Sequence, residues 1–71
     1  MRYLVVVEQG ATSYGAYVPD LPGCIAAGNT KQEALALLRE AIELHLEDLR
    51  NSGQRVPSPS STGEVIEVPA A

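Results

Sequence analysis

The feature of this sequence that most limits its fold is a long amphipathic helix in the middle of the chain. Thr30 and Glu33 form a capping box, in which the Thr30 hydroxyl accepts a hydrogen bond from the Glu33 amide and the Glu33 carboxylate reaches back to the Thr30 amide. Arg50 suits the negative end of the helix dipole, and Gly53 can supply a left-handed residue after it. The pattern predicts a helix from Thr30 to about Asn51.

Apolar side chains lie on two sides of this helix. At about 100° per residue, one group falls on a single side and is expected to pack on a sheet: Leu35, Leu38, Ile42, Leu46 and Leu49. Leu37 and Leu44 lie about 160 to 180° from Leu35, where a single sheet cannot cover them. Ala34 and Ala41 lie between the two stripes and leave a shallow apolar surface that another helix could approach. We therefore predict a self-association surface at Leu37, Ala41 and Leu44.

The small size of the chain favours self-association over the alternative that Leu37 and Leu44 are ordinary exposed leucines. A chain of 71 residues buries only a small core. Its single Cys excludes an internal disulfide, and its single His argues against a zinc site. Because these usual means of stabilising a small domain are missing, we expect a homo-oligomer, either a dimer or a tetramer.

The charge balance limits the partners. Five basic against nine acidic side chains give a net charge of −4 at pH 7. A nucleic-acid binder needs a basic face, so we expect a basic protein partner and no direct contact with nucleic acid. No apolar run reaches the roughly 18 residues of a membrane span, and no signal-peptide pattern is visible. Since an unpaired Cys fits a reducing compartment, we expect a soluble cytoplasmic protein.

Three short strands are predicted before the helix, joined as an antiparallel meander. Residues 2–8 are β-branched and aromatic on both alternating faces, which favours a central strand covered on two sides. Gly10 breaks this pattern, residues 13–18 resume it, and residues 24–28 are apolar enough for a third strand. The turn-forming residues 19–23 must leave the sheet.

The segment after the helix divides into two parts. Residues 54–63 are rich in Pro and Ser and predict an extended connection. Residues 64–68 alternate, with Ile66 and Val68 on one face, and predict a short edge strand. The resulting order is βββαβ, an α+β fold of one sheet layer and one helix in a single domain of residues 1–71.

Three residues, Asp20, Cys24 and His45, carry side chains that could take part in chemistry. Asp20 is the one acid of the turn segment, but Mg²⁺ chemistry needs several converging carboxylates, so a turn-forming role is favoured. His45 borders the apolar stripe, as a packed ring does, and Cys24 without a partner suits a small buried hydrophobe. We predict no catalytic residue, no metal and no cofactor. The alternative is a degenerate metal-dependent nuclease that uses Asp20.

A specific motif occupies the turn and the start of the helix. Residues 17–24 read Tyr-Val-Pro-Asp-Leu-Pro-Gly-Cys, residues 28–30 read Gly-Asn-Thr, and an Ala- and Leu-rich helix follows. With this motif the chain resembles the N-terminal domain of HicB-type antitoxins over nearly all of residues 2–59. The resemblance implies a partial ribonuclease-H-like βββαβ fold.

The resemblance also implies a function. It indicates an antitoxin-like module, and not an enzyme, that neutralises a small basic mRNA-cleaving toxin of the HicA-like type by masking it. Longer members usually add a C-terminal module that reads operator DNA, and we expect none in this chain. We predict partner contacts at Tyr17, Asp20 and Leu21. The alternative is an oligomeric HicB-like scaffold that has lost its toxin.

Overall fold

A computed structural model describes residues 1–70 and contains three strands followed by one helix. The elements are β1 (Val6–Gln9), β2 (Tyr14–Tyr17), β3 (Ile25–Gly28) and α1 (Lys31–Asn51). The strands pair antiparallel in the order β1-β2-β3. The predicted α+β class and the three-stranded meander are confirmed.

The ends of α1 follow the local signals in the sequence. The Thr30 hydroxyl accepts a hydrogen bond from the Glu33 amide at 3.0 Å. The reciprocal bond differs from the prediction, because the Glu33 carboxylate accepts from the Asn29 amide at 3.2 Å and not from the Thr30 amide. At the other end, Gly53 takes a φ of +73° and its amide donates to the Arg50 carbonyl.

The core lies between α1 and the inner face of the sheet. Its fully buried members are Ala16, Val18, Leu21, Cys24, Ala34 and Leu38. The burial of Ala34 corrects the prediction that it lies between two apolar stripes at the surface. Gly28 accounts for this position: a Cβ there would lie 2.7 Å from the Ala34 nitrogen, so only glycine lets α1 begin directly against β3.

The prediction of a central first strand is wrong for this chain. Within residues 1–70, β1 has β2 as its one neighbour and is therefore an edge strand. Both faces of residues 3–7 are still partly covered. On the inner face, Tyr3, Val5 and Val7 pack against the core. On the outer face, Gly63 lies against Leu4, since a Cβ built at Gly63 would be 3.2 Å from Leu4 Cδ1.

The predicted final strand at residues 64–68 is also wrong for this chain, because residues 54–70 form neither helix nor strand. We call residues 64–68 the C-terminal tail. Its apolar side chains are largely exposed, by 99% at Val65, 80% at Ile66 and 73% at Val68. A strand exists only when a neighbouring backbone satisfies its amide and carbonyl groups, and β1 and β3 both end the sheet without pairing with the tail.

Candidate protein-binding surface

The turn between β2 and β3 folds inward and contributes to the core. The Leu21 amide donates to the Val18 carbonyl, and the Cys24 amide donates to the Leu21 carbonyl, both at 3.1 Å. Gly23 completes the reversal with a φ of +84°. Leu21 is 0% exposed. The prediction that Leu21 contacts a partner is therefore wrong: the tight reversal turns its side chain into the core.

Asp20 binds the segment that follows the helix. Its carboxylate accepts four hydrogen bonds, from the amides of Ser60 and Ser61 at 2.8 and 2.9 Å and from their hydroxyls at 3.1 and 2.7 Å. The Tyr3 hydroxyl donates to the Pro57 carbonyl nearby. We call the four hydrogen bonds between Asp20 and the two serines the Asp20 clamp.

The hydrogen bonds of the clamp stabilise the charged form of the Asp20 carboxylate. Hydrogen bonds from the Ser61 and Ser60 amides, and then from the hydroxyls, lower the pKa of Asp20 from 3.8 to about 2. Both carboxylate oxygens are taken up by the chain's own serines. The structure gives Asp20 a role within the chain, since its side chain holds the C-terminal segment in place, and the predicted partner contact at Asp20 stays a prediction.

The outer face of the sheet carries the exposed apolar surface near the turn. Strand register places Val6 opposite Tyr17 and Tyr17 opposite Ile25. We call these three residues the outer-face row. Tyr17 is 37% exposed, Ile25 is 69% exposed and Val6 is half-buried. In the next row Gly15 leaves open space where a Cβ would stand, so a partner backbone can approach closely.

Two members of this row, Val6 and Ile25, were missed by sequence reasoning. Alternation along β2 was enough to place Tyr17 opposite the face that carries Ala16 and Val18. It could not be carried through the irregular turn to show that Ile25 lies beside Tyr17. The hairpin register supplies that information, and it exists only in the folded sheet.

The predicted self-association residues lie on the opposite side of the molecule. Leu37 is 42% and Leu44 is 67% exposed on α1, which packs on the inner face of the sheet. Ala41 is half-buried and packs against the core. Ala41 and Leu44 also line a shallow groove of about 480 Å³ together with His45. The helix surface and the outer-face row therefore do not overlap.

The two remaining candidates, Cys24 and His45, lie at buried or half-buried positions. Cys24 is buried as predicted, and burial raises the pKa of its thiol. His45 is half-buried on α1. Among residues 1–70, no three His, Cys, Asp or Glu side chains are close enough together to bind a metal ion. In the same residues, no helix has both the length and the apolar character needed to cross a membrane.

The fold is a two-layer α+β module with an exposed apolar row on the outer face of its sheet. A chain of the solved HicA3 and HicB3 toxin-antitoxin complex is similar to it, with a TM-score of 0.70 and 33% identity over 84% of this chain and 70% of that one. The family described as HicB_like antitoxin of bacterial toxin-antitoxin system matches residues 3–70. This chain belongs to that family, and the resemblance seen in the sequence is confirmed.

Two relatives show how the family varies in length. Antitoxin HicB 2 of Photorhabdus laumondii is 35% identical over 72 residues, which cover 100% of this chain and 52% of that protein. A UPF0150 protein of Thermoplasma acidophilum is 38% identical over 58 residues, covering 80% of this chain and 84% of that protein. The chain thus spans about half the length of Antitoxin HicB 2 and most of the shorter relative.

Proposed function

We propose that this protein is an antitoxin that neutralises a small basic mRNA-cleaving toxin of the HicA-like type by covering it with the outer face of its sheet. Family membership and the similarity to a chain of a toxin-antitoxin complex support the choice of partner. The observation that carries the choice of surface is the exposed row of Val6, Tyr17 and Ile25. The protein acts by binding and not by catalysis, in the cytoplasm where its partner cleaves mRNA.

The chemistry of the outer face suits such a partner. Tyr17 offers an apolar ring together with a hydroxyl, the combination that is enriched at the centre of protein interfaces. Ile25 extends the apolar area, and Gly15 lets another chain approach the backbone. Glu8 lies opposite Gly15 in the next row, and the net charge of −4 favours encounter with a basic protein.

The other two predicted contacts, Asp20 and Leu21, support the surface from within the chain. Leu21 anchors the turn in the core, and Asp20 holds residues 60 and 61 at the end of the sheet. Tyr17 and Ile25 make the direct contacts with the toxin.

Binding of a HicA-like toxin tests the proposal. We expect Tyr17→Ala or Ile25→Asp to weaken toxin binding by about 30-fold or more in calorimetry, the effect of losing an interface residue worth about 2 kcal/mol. Both variants should also stop protecting cells that express the toxin. Circular dichroism checks that they remain folded, since both side chains are exposed.

Ala36→Asp is the matched control, at an exposed position of α1 that belongs to neither proposed surface, and it should bind the toxin as the unsubstituted chain does. Toxin binding that is unchanged in both outer-face variants, or no binding by the unsubstituted chain, would contradict the proposal.

We also propose that Leu37, Ala41 and Leu44 form a self-association surface on α1. The exposure of both leucines supports it, and its distance from the outer-face row allows a toxin and a second copy to bind together. Leu44→Asp should lower the mass measured by light scattering, because two carboxylates would face each other across a two-fold contact. An unchanged mass would rule out this surface.

A further inference from the structure

A groove remains between α1 and β1 because the helix is not centred on the sheet. α1 packs mainly over β3 and least over β1. Beneath its uncovered side lies a groove of about 550 Å³, lined by apolar side chains that include Tyr3, Val5, Leu35 and Ile42. The outer edge of β1 borders this region and has no strand beside it within residues 1–70. The groove and the open edge together leave room for a fourth strand.

The C-terminal tail has the properties of the missing strand. Its five residues reach about 17 Å when extended, a common strand length. Ile66 and Val68 share one face, and both are largely exposed in the single chain. Paired with the edge of β1, a strand of this pattern would place Ile66 and Val68 in the groove and leave Val65 on the outer face.

The charges of the tail and the groove are complementary. Arg2 and Arg39 line the groove with one acid, Glu43. The tail carries Glu64 and Glu67 between its apolar residues. Two arginines against one glutamate favour an acidic strand in this position.

In the single chain the tail does not occupy its own groove, because Ile66 and Val68 are largely exposed and no tail residue lines the groove. The Asp20 clamp fixes residues 60 and 61, and Gly63 lies against Leu4. Leu4 alternates with Tyr3 and Val5, which line the groove, so the tail departs from the opposite side of the sheet. The molecule is 50 Å long and its radius of gyration is 14.2 Å, against about 11 Å for a compact chain of this length.

We infer that the tail of each copy adds as a fourth strand to the β1 edge of a second copy, so that two copies exchange tails across a two-fold axis. The backbone hydrogen bonds of the added strand provide affinity, and Ile66 and Val68 provide specificity. In this assembly β1 has a neighbour on each side, and the tail of the second copy forms the new edge of the sheet. This interface does not involve Leu37, Ala41 or Leu44 on the helix.

Removal of the tail is the first test. We expect the full chain to have at least twice the 7.5 kDa mass of one copy in light scattering. A chain that ends at Gly63 keeps the Asp20 clamp and should have half the mass of the full-length assembly, with its helical circular dichroism retained. Ile66→Asp should have the same effect, while Val65→Asp should not. A solitary full-length chain, or an unchanged mass after truncation, overturns the inference.

Disulfide trapping between two differently substituted copies is the second test. In a Cys24→Ser background, one copy carries Val5→Cys and the other carries Ile66→Cys. Mixing them under oxidising conditions should give a covalent heterodimer, and Val65→Cys in place of Ile66→Cys is the matched control with little linkage. A link that forms within one chain when both cysteines are on it, or no link between copies, overturns the exchange of tails.

Discussion

The two halves of the segment after the helix show opposite behaviour. Residues 54–63 are polar and irregular, yet Asp20 and Tyr3 hold them against the end of the sheet. Residues 64–68 are largely apolar and have the pattern of a strand, yet they are exposed. The difference lies in what each half needs. Single side chains can satisfy a few amides, whereas a strand needs the continuous edge of another strand.

This comparison links the fold to the proposed function. The clamped half closes the end of the sheet beside the outer-face row and sets the direction in which the tail leaves. The free half is available to a second copy.

The largest effect is expected in the turn that carries the clamp. Leu21→Ala should lower the free energy of unfolding by about 2 to 5 kcal/mol, since the side chain is fully buried. Ile66→Ala, measured in dilute solution where the tail has no partner, should change it by less than about 0.5 kcal/mol. Urea unfolding gives both values. Equal costs at the two positions would contradict the burial of Leu21 and the exposure of the tail.

Loss of the clamp should make the two halves alike. Asp20→Asn removes the charge and one of the acceptor oxygens, so the hydrogen bonds to Ser60 and Ser61 weaken. We expect faster hydrogen exchange of both serine amides by NMR and a lower melting temperature. Glu64→Gln, which also removes one negative charge, is the control and should leave the exchange of these amides unchanged. Serine amides that stay protected in Asp20→Asn would show that the clamp does not hold the segment.

The clamp should also depend on pH. The pKa of Asp20 is lowered to about 2, so the folded chain favours the carboxylate. Its stabilising contribution is therefore fully present above about pH 5 and is lost as the pH falls toward 2. The melting temperature should fall more steeply over this range in the unsubstituted chain than in Asp20→Asn. Parallel pH profiles of the two proteins would be evidence against the clamp.

The smallest effect is expected at the second contact of the clamped half. Tyr3→Phe removes the hydroxyl that donates to the Pro57 carbonyl and should cost about 0.5 to 1.5 kcal/mol in urea unfolding. Tyr17→Phe removes a hydroxyl from the exposed outer face and is the matched control, with a change below about 0.5 kcal/mol. A Tyr3→Phe variant as stable as this control would show that the contact contributes nothing.

The sequence predicted the elements that depend on near neighbours. The helix runs from Lys31 to Asn51, close to the predicted bounds, because Thr30 and Gly53 act on backbone groups within a few residues. The second and third strands and the turn between them were also found. The errors begin where distant segments meet, as at Leu21, which the motif alone suggested as a contact and which the fold buries.

Features that depend on near neighbours can be predicted from the sequence, whereas features that depend on contacts between distant segments cannot. Capping, alternation and glycine turns act over a few residues, so the amino-acid order determined α1, the faces of β2 and the pattern of the tail. Pairing and burial depend on contacts across the whole chain. Only the tertiary structure decided that β1 is an edge, that Ile25 lies beside Tyr17, and that Asp20 holds two serines 40 and 41 residues away.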